Sequence, residues 1–131
     1  MQYPHTKFRA AQRIVTLSLA LASAVFSGPS LAQTRGDEAL VEMNKAFAKN
    51  DKQRLAQLLP AVRGHALEGW GAYWELRSRL DTALPDEVNE FYRRYEGSYV
   101  EDRLRNDWLL LLGQRRDWSN FADQYPKFRM N

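Results

Sequence analysis

The stretch from Gly97 to Pro126 carries a full set of helix start and stop signals. A chain punctuated in this way has little choice but to form antiparallel helices. Ser98 can cap a first helix, and Glu101 stands three residues on, where it completes a capping box. Val100, Leu104, Trp108, Leu111 and Leu112 then fall on one helical face. Gly113 offers a left-handed stop, and Asp117 can cap a second helix carrying Trp118, Phe121 and Tyr125. Pro126 closes the unit. The stretch reads as one helical hairpin.

The same grammar runs back through the chain. Gln33 to Gly36 reads as a frayed start, and Asp37 as the cap of a helix with Leu40, Met43 and Phe47 on its apolar face. Lys49 and Asn50 end that helix. Asp51 caps a shorter one with Leu55, Leu58, Leu59 and Val62 inward, which Pro60 bends or ends. Arg63 to His65 is a connector. From Leu67 to about Leu80 the pattern of Trp70, Tyr73, Trp74 and Arg77 predicts a third helix. Pro85 suits the first turn of a fourth, where its missing N–H costs nothing, with Asp86 and Glu87 at the positive end. Val88, Phe91, Tyr92 and Tyr95 give it an apolar side. No run alternates in the manner of a strand.

A repeat lies inside this pattern. Asp51 to Pro60 and Asp117 to Pro126 share Asp, an apolar residue four later, Ala next, an apolar residue at plus eight and Pro at plus nine. A looser third copy starts at Glu87, with Phe91 and Tyr95 in step. Separations of 36 and 30 residues between these starts suit two-helix repeats that stack. The expected fold is all-α: about six helices in three hairpins, curved as a short right-handed-type superhelix or solenoid.

The first residues have a different character. Lys7, Arg9 and Arg13 precede an uncharged run of thirteen residues, Ile14 to Phe26, broken by Gly28 and Pro29. Ser30, Leu31 and Ala32 place small residues where a signal peptidase inspects them. A membrane span needs about 20 apolar residues, so the run is short for one. Residues 1–32 therefore read as a secretory signal peptide and 33–131 as a helical-repeat domain. The leader also explains the charge. The chain is +3, from 19 basic and 16 acidic residues, but three of the basic residues and none of the acidic ones lie in the leader. The remainder is neutral, which removes the case for nucleic acid as a partner. Cysteine is absent, so neither a disulfide framework nor a lipoprotein anchor is available. A soluble periplasmic destination, with no membrane anchor after cleavage, is the expectation.

Three segments carry a family resemblance: Pro60-Ala-Val-Arg-Gly-His65, Tyr73-Trp-Glu-Leu-Arg77 and, above all, Gly97-Ser-Tyr-Val-Glu-Asp-Arg-Leu-Arg-Asn-Asp-Trp-Leu109. With Asp117, Trp118, Tyr125, Pro126 and Phe128, they resemble the N-terminal half of soluble lytic murein transglycosylases. The resemblance implies a periplasmic protein of peptidoglycan metabolism. In that family a superhelix of helical hairpins scaffolds a separate lysozyme-like domain, which cleaves between N-acetylmuramic acid and N-acetylglucosamine and leaves a 1,6-anhydro end. No Glu of this chain matches the family's catalytic Glu, and the Glu-Ser and Gly-Leu-Met-Gln motifs have no counterpart. The expectation is a truncated, non-catalytic scaffold segment, inactive alone, that meets peptidoglycan through the rest of a parent protein. Two other readings stand beside it: a free-standing periplasmic adaptor that binds a protein partner or itself, and the remnant of a broken gene.

Candidate site residues follow the same logic. No catalytic, metal-binding or cofactor-binding residue is expected. Glu101 and Asp102 are adjacent, so on a helix they diverge by about 100°, and they read as helix-start and surface-pairing charges, Glu101 with Arg105. His65 lacks partner ligands and reads as a turn or packing residue. The weak candidates for glycan or partner contact are Trp70 and Trp118, each near a helix start and expected to be exposed, with Arg103, Arg115 and Arg116. Arg103, Arg105, Arg115, Arg116 and Arg129 read mainly as a solvated, mixed-charge face.

Overall fold

The computed structural model describes residues 31–130. The expected signal peptide lies outside the described residues except for Leu31 and Ala32. Six α-helices follow in order: α1 (Leu31–Ala48), α2 (Lys52–Leu58), α3 (Glu68–Ser78), α4 (Pro85–Arg94), α5 (Tyr99–Arg115) and α6 (Trp118–Gln124). Short 3-10 turns extend α2 over Leu59–Val62 and α6 over Tyr125–Lys127. No strand occurs among the described residues, and the fold is all-α.

The sequence repeat is also a repeat of conformation. Asn50 and Arg116 both adopt a left-handed backbone, with φ of 54° and 56°. In each case the next N–H reaches back to close the preceding helix: Asp51 to the Ala46 carbonyl and Asp117 to that of Leu112, both at 2.9 Å. The two aspartates then cap the following helix through the N–H groups of Arg54 and Asn120. Both of these helices are seven residues long, and both pass into a 3-10 turn at Pro60 or Pro126. Pro60 thus ends α2 as expected, because it cannot donate the bond a continuing helix requires.

Three expectations are corrected. Helix α1 does not begin at Asp37 but runs through Gly36 from Leu31. A Cβ at Gly36 would lie 2.8 Å from the His65 ring, so the bare glycine lets that ring seat against α1. Helix α5 does not stop at Gly113, which has open space around it; the left-handed position falls on Arg116. The third repeat copy fails at its first residue. Glu87 lies in the first turn of α4, as Pro85 implied, so it does not play the capping part of Asp51 and Asp117; its carboxylate accepts the Leu84 N–H at 2.9 Å.

Packing joins the odd-numbered helices in chain order, α1 against α3 and α3 against α5. One core cluster gathers Leu40, Met43, Leu55 and Val62 from α1, α2 and the first 3-10 turn. A second gathers Tyr73, Leu76, Val88, Phe91, Leu104 and Trp108 from α3, α4 and α5. Trp74 packs against both, so one indole ties the first hairpin to the rest.

Candidate functional site

Helix α3 turns Trp70, Tyr73, Trp74 and Arg77 to one side, as residues three and four apart must. Helix α5 brings Tyr99, Arg103 and Asp107 beside them at successive turns. The two helix starts lie close because residue 69 is glycine: a Cβ there would sit 3.1 Å from Val100 Cγ2 and 3.3 Å from the Tyr95 ring. The Trp70 ring consequently lies 5.8 Å from that of Tyr99 and 6.0 Å from those of Tyr73 and Trp74. Phe47 of α1 continues the row, stacked on Trp74 at 6.4 Å.

Polar groups hold this strip in place. Arg103 Nε donates to the Tyr73 hydroxyl at 3.2 Å and Nη1 to that of Tyr99 at 3.4 Å, with the guanidinium 5.8 Å from the Tyr73 ring centre. Tyr73 in turn donates to Asp107 Oδ2 at 2.7 Å, and Arg77 pairs with the same oxygen at 3.1 Å. Burial and the Asp107 carboxylate push the Tyr73 hydroxyl up to about 12, so it stays a donor at neutral pH. Tyr99 leaves 54% of its surface to solvent. One exposed ring, Tyr99, beside the half-buried Trp70 and flanked by a guanidinium and a carboxylate, suits stacking on a flat apolar surface such as a sugar ring, with hydroxyls taken up at the edge.

The strip unites two of the five candidate contact residues, Trp70 and Arg103. Arg115, Arg116 and Trp118 lie at the other end of α5. Trp118 is 60% exposed, as expected of a residue at a helix start. Trp70 is not exposed: it is half-buried and packs against the second core cluster. Arg115 donates to the Asp81 carbonyl, and Arg116, whose backbone makes the left-handed turn, is exposed. Tyr99, Arg77 and Asp107 complete the strip. The four-residue spacing of Tyr99, Arg103 and Asp107 is the sequence signal for their shared face.

The mixed-charge face of α5 is corrected more sharply. Glu101, Asp102 and Arg105 are buried, at 7%, 3% and 4% exposure. Arg105 Nη1 bonds Glu101 at 2.9 Å and lies 3.8 Å from Asp102, with its guanidinium 4.2 Å over the Tyr92 ring. Arg129 closes the set from beyond α6, its backbone N–H on Asp102 at 3.0 Å and its side chain on Glu101 at 3.0 Å. Ser98 does cap α5 by accepting the Glu101 N–H, but the Glu101 carboxylate accepts from the Gly97 N–H instead of closing a box on Ser98. A glutamate, an aspartate and two arginines that satisfy one another are a fastener between helices, because burial of either sign alone is costly.

His65 also fastens. Its Nδ1 accepts the Leu67 N–H at 3.0 Å, so the proton sits on Nε2 and is donated to Asp37 at 2.7 Å. Among the described residues, no group of His, Cys, Asp or Glu is arranged to hold a metal ion. No helix among them is long and apolar enough to cross a membrane. No family model, curated protein or solved structure matches the chain.

Proposed function

We propose that this chain is a non-catalytic helical scaffold segment of the kind that soluble lytic transglycosylases use, exported to the periplasm and engaged in murein turnover. Its three hairpins stack as a short superhelix, and glycan lies along the Phe47, Trp70, Tyr99 and Arg103 strip. The observation that carries this reading is the strip itself. Its rings come from all three odd-numbered helices, so it is a property of the stack and not of one hairpin. The segments that resemble the transglycosylase scaffold, Tyr73 to Arg77 and Gly97 to Leu109, supply most of its residues.

Co-sedimentation with purified murein sacculi tests the reading. The chain is expected to pellet with sacculi, and Tyr99→Ala with Arg103→Gln to lower bound protein about tenfold, as the loss of one stacked ring and its flanking donor implies. Unchanged pelleting of a folded double variant would remove the strip from the account. An adaptor that captures a protein partner is the second reading, favoured by the exposed rings of Trp118 on α6 and Tyr125 in the 3-10 turn after it.

A further inference from the structure

The middle hairpin is built differently from the other two. The backbones of α1 and α2, and likewise of α5 and α6, approach closely, whereas those of α3 and α4 stay farther apart and meet through side chains. Between them, beside Leu59 of the first 3-10 turn, lies a trough of about 460 Å³. It opens on the side of α3 that carries Glu68, Ala72, Glu75 and Arg79. At about 100° per residue, this face points away from the aromatic strip of Trp70, Tyr73, Trp74 and Arg77.

Two straps hold the trough open at a fixed width. At one end Arg79 spans the helices, bonding Glu75 at 2.6 Å and Glu87 at 2.8 Å. At the other, Glu68 accepts from the Arg94 guanidinium and from the Tyr95 hydroxyl at 2.9 Å. Seven residues of helix separate Glu68 from Glu75, so the straps stand about 10 Å apart. Ala72, Leu76 and Phe91 floor the space between them, with Ala72 leaving room where a larger residue would fill it.

The rim is acidic. Glu68, Glu75, Asp86, Glu87 and Glu90 line the trough against the three guanidiniums of Arg63, Arg79 and Arg94. Arg79 and Arg94 are already engaged by the straps. Asp86 and Glu90 stand one turn apart on α4, both exposed, and neither is paired with a guanidinium of the trough. Among the described residues, Glu90 meets Arg93 outside it, in a pair whose side chains are 63% and 70% exposed and therefore weakly coupled.

An apolar floor of this size with surplus negative charge on one wall selects a cation with an apolar anchor. We propose that the trough binds a basic, apolar peptide segment of a protein partner. An aromatic or branched side chain seats over Ala72, Leu76 and Phe91, and a neighbouring lysine ammonium is held by Asp86 and Glu90. The site is independent of the glycan strip and occupies the opposite face of α3.

Amide NMR titration of the full chain with two capped dipeptides tests it: acetyl-Phe-Lys-amide and acetyl-Phe-Glu-amide, equal in shape and opposite in charge. The lysine peptide is expected to shift the amides of Ala72, Leu76, Glu90 and Phe91, and to bind about fivefold more tightly than the glutamate peptide. Asp86→Asn with Glu90→Gln, both at exposed positions, should bring that ratio below about twofold. Ala72→Phe should abolish the shifts; if it fails to fold, the charge variant still decides. Equal affinity for the two peptides, shifts centred elsewhere, or no saturable shift up to about 10 mM would overturn the proposal.

Discussion

The first and last hairpins trace the same path with different chemistry inside. Their equivalent positions lie 66 residues apart, as Asp51 and Asp117 show. On that register, the buried seam of α1 is Gly36, Ala39, Met43 and Ala46, and the seam of α5 is Asp102, Arg105, Leu109 and Leu112. Leu58 of α2 corresponds to Gln124 of α6, which meets Arg105 Nε at 3.4 Å. One hairpin closes on hydrocarbon, and the other closes half on hydrocarbon and half on an ion cluster. The shared path therefore cannot come from what fills the seam. It comes from the punctuation both hairpins keep: a left-handed residue, an aspartate cap and a proline-ended helix. Seam chemistry sets how strongly each hairpin holds and how it responds to damage.

The largest effect is expected of Arg105→Met. It leaves Glu101 and Asp102 buried with only Arg129, and urea unfolding should show a loss of about 3–5 kcal/mol. Replacing Glu101, Asp102 and Arg105 together by Met, Ala and Leu should instead restore stability to within about 1 kcal/mol of the parent, or exceed it. A triple variant as damaged as the single one would mean that the cluster specifies the hairpin. On the apolar side, Met43→Ala removes a fully buried side chain and should cost about 3 kcal/mol in the same assay.

Smaller effects are expected at the two left-handed turns. Arg116→Gly should raise the unfolding free energy by about 1 kcal/mol, since a glycine meets no Cβ penalty at positive φ. Asn50→Gly should gain only about a few tenths, because asparagine tolerates that region better. Equal gains would show that the two turns are not strained as their sequences imply. Tyr92 adds a related check beside the ion cluster. Its hydroxyl is buried without a hydrogen-bond partner among the described residues, and burial pushes it well above its ordinary value. Tyr92→Phe should leave thermal stability unchanged or slightly raised.

The middle hairpin contributes an acid dependence. Burial pushes the Glu68 carboxyl up, but the Gly64 N–H, Tyr95 and Arg94 outweigh it and hold it below 4.5. The Leu84 N–H and Arg79 hold Glu87 below 4.5 as well. For carboxylates lowered in this way, the stabilisation is complete above the unfolded value and is lost as pH falls through the folded values. Stability should therefore be level above about pH 5 and decline below about pH 4.5, with a shallower decline in Glu68→Gln.

Much of this was legible because punctuation is local. Asp51, Asp117, Ser98, Asn50, Pro60 and Pro126 do what their types imply, since each acts on its own neighbours within a few residues. Three things were not legible because they depend on contacts between distant residues. Gly36 lies inside α1, where its missing Cβ leaves room for the His65 ring. Glu101, Asp102 and Arg105 look like surface charge until Arg129 returns to cover them. Trp70 loses its exposure to a helix thirty residues away. The strip was half legible, through the spacing of Trp70, Tyr73 and Trp74; its partners on α5 needed the close approach that Gly69 permits.

The scaffold proposed above holds murein without cutting it. Incubating the purified chain with sacculi and measuring bound protein and soluble 1,6-anhydromuropeptides in the same sample tests both halves. The expected result is protein in the pellet, lowered by Tyr99→Ala with Arg103→Gln, and no anhydro products. Release of anhydromuropeptides, or a chain that stays entirely in the supernatant, would contradict it.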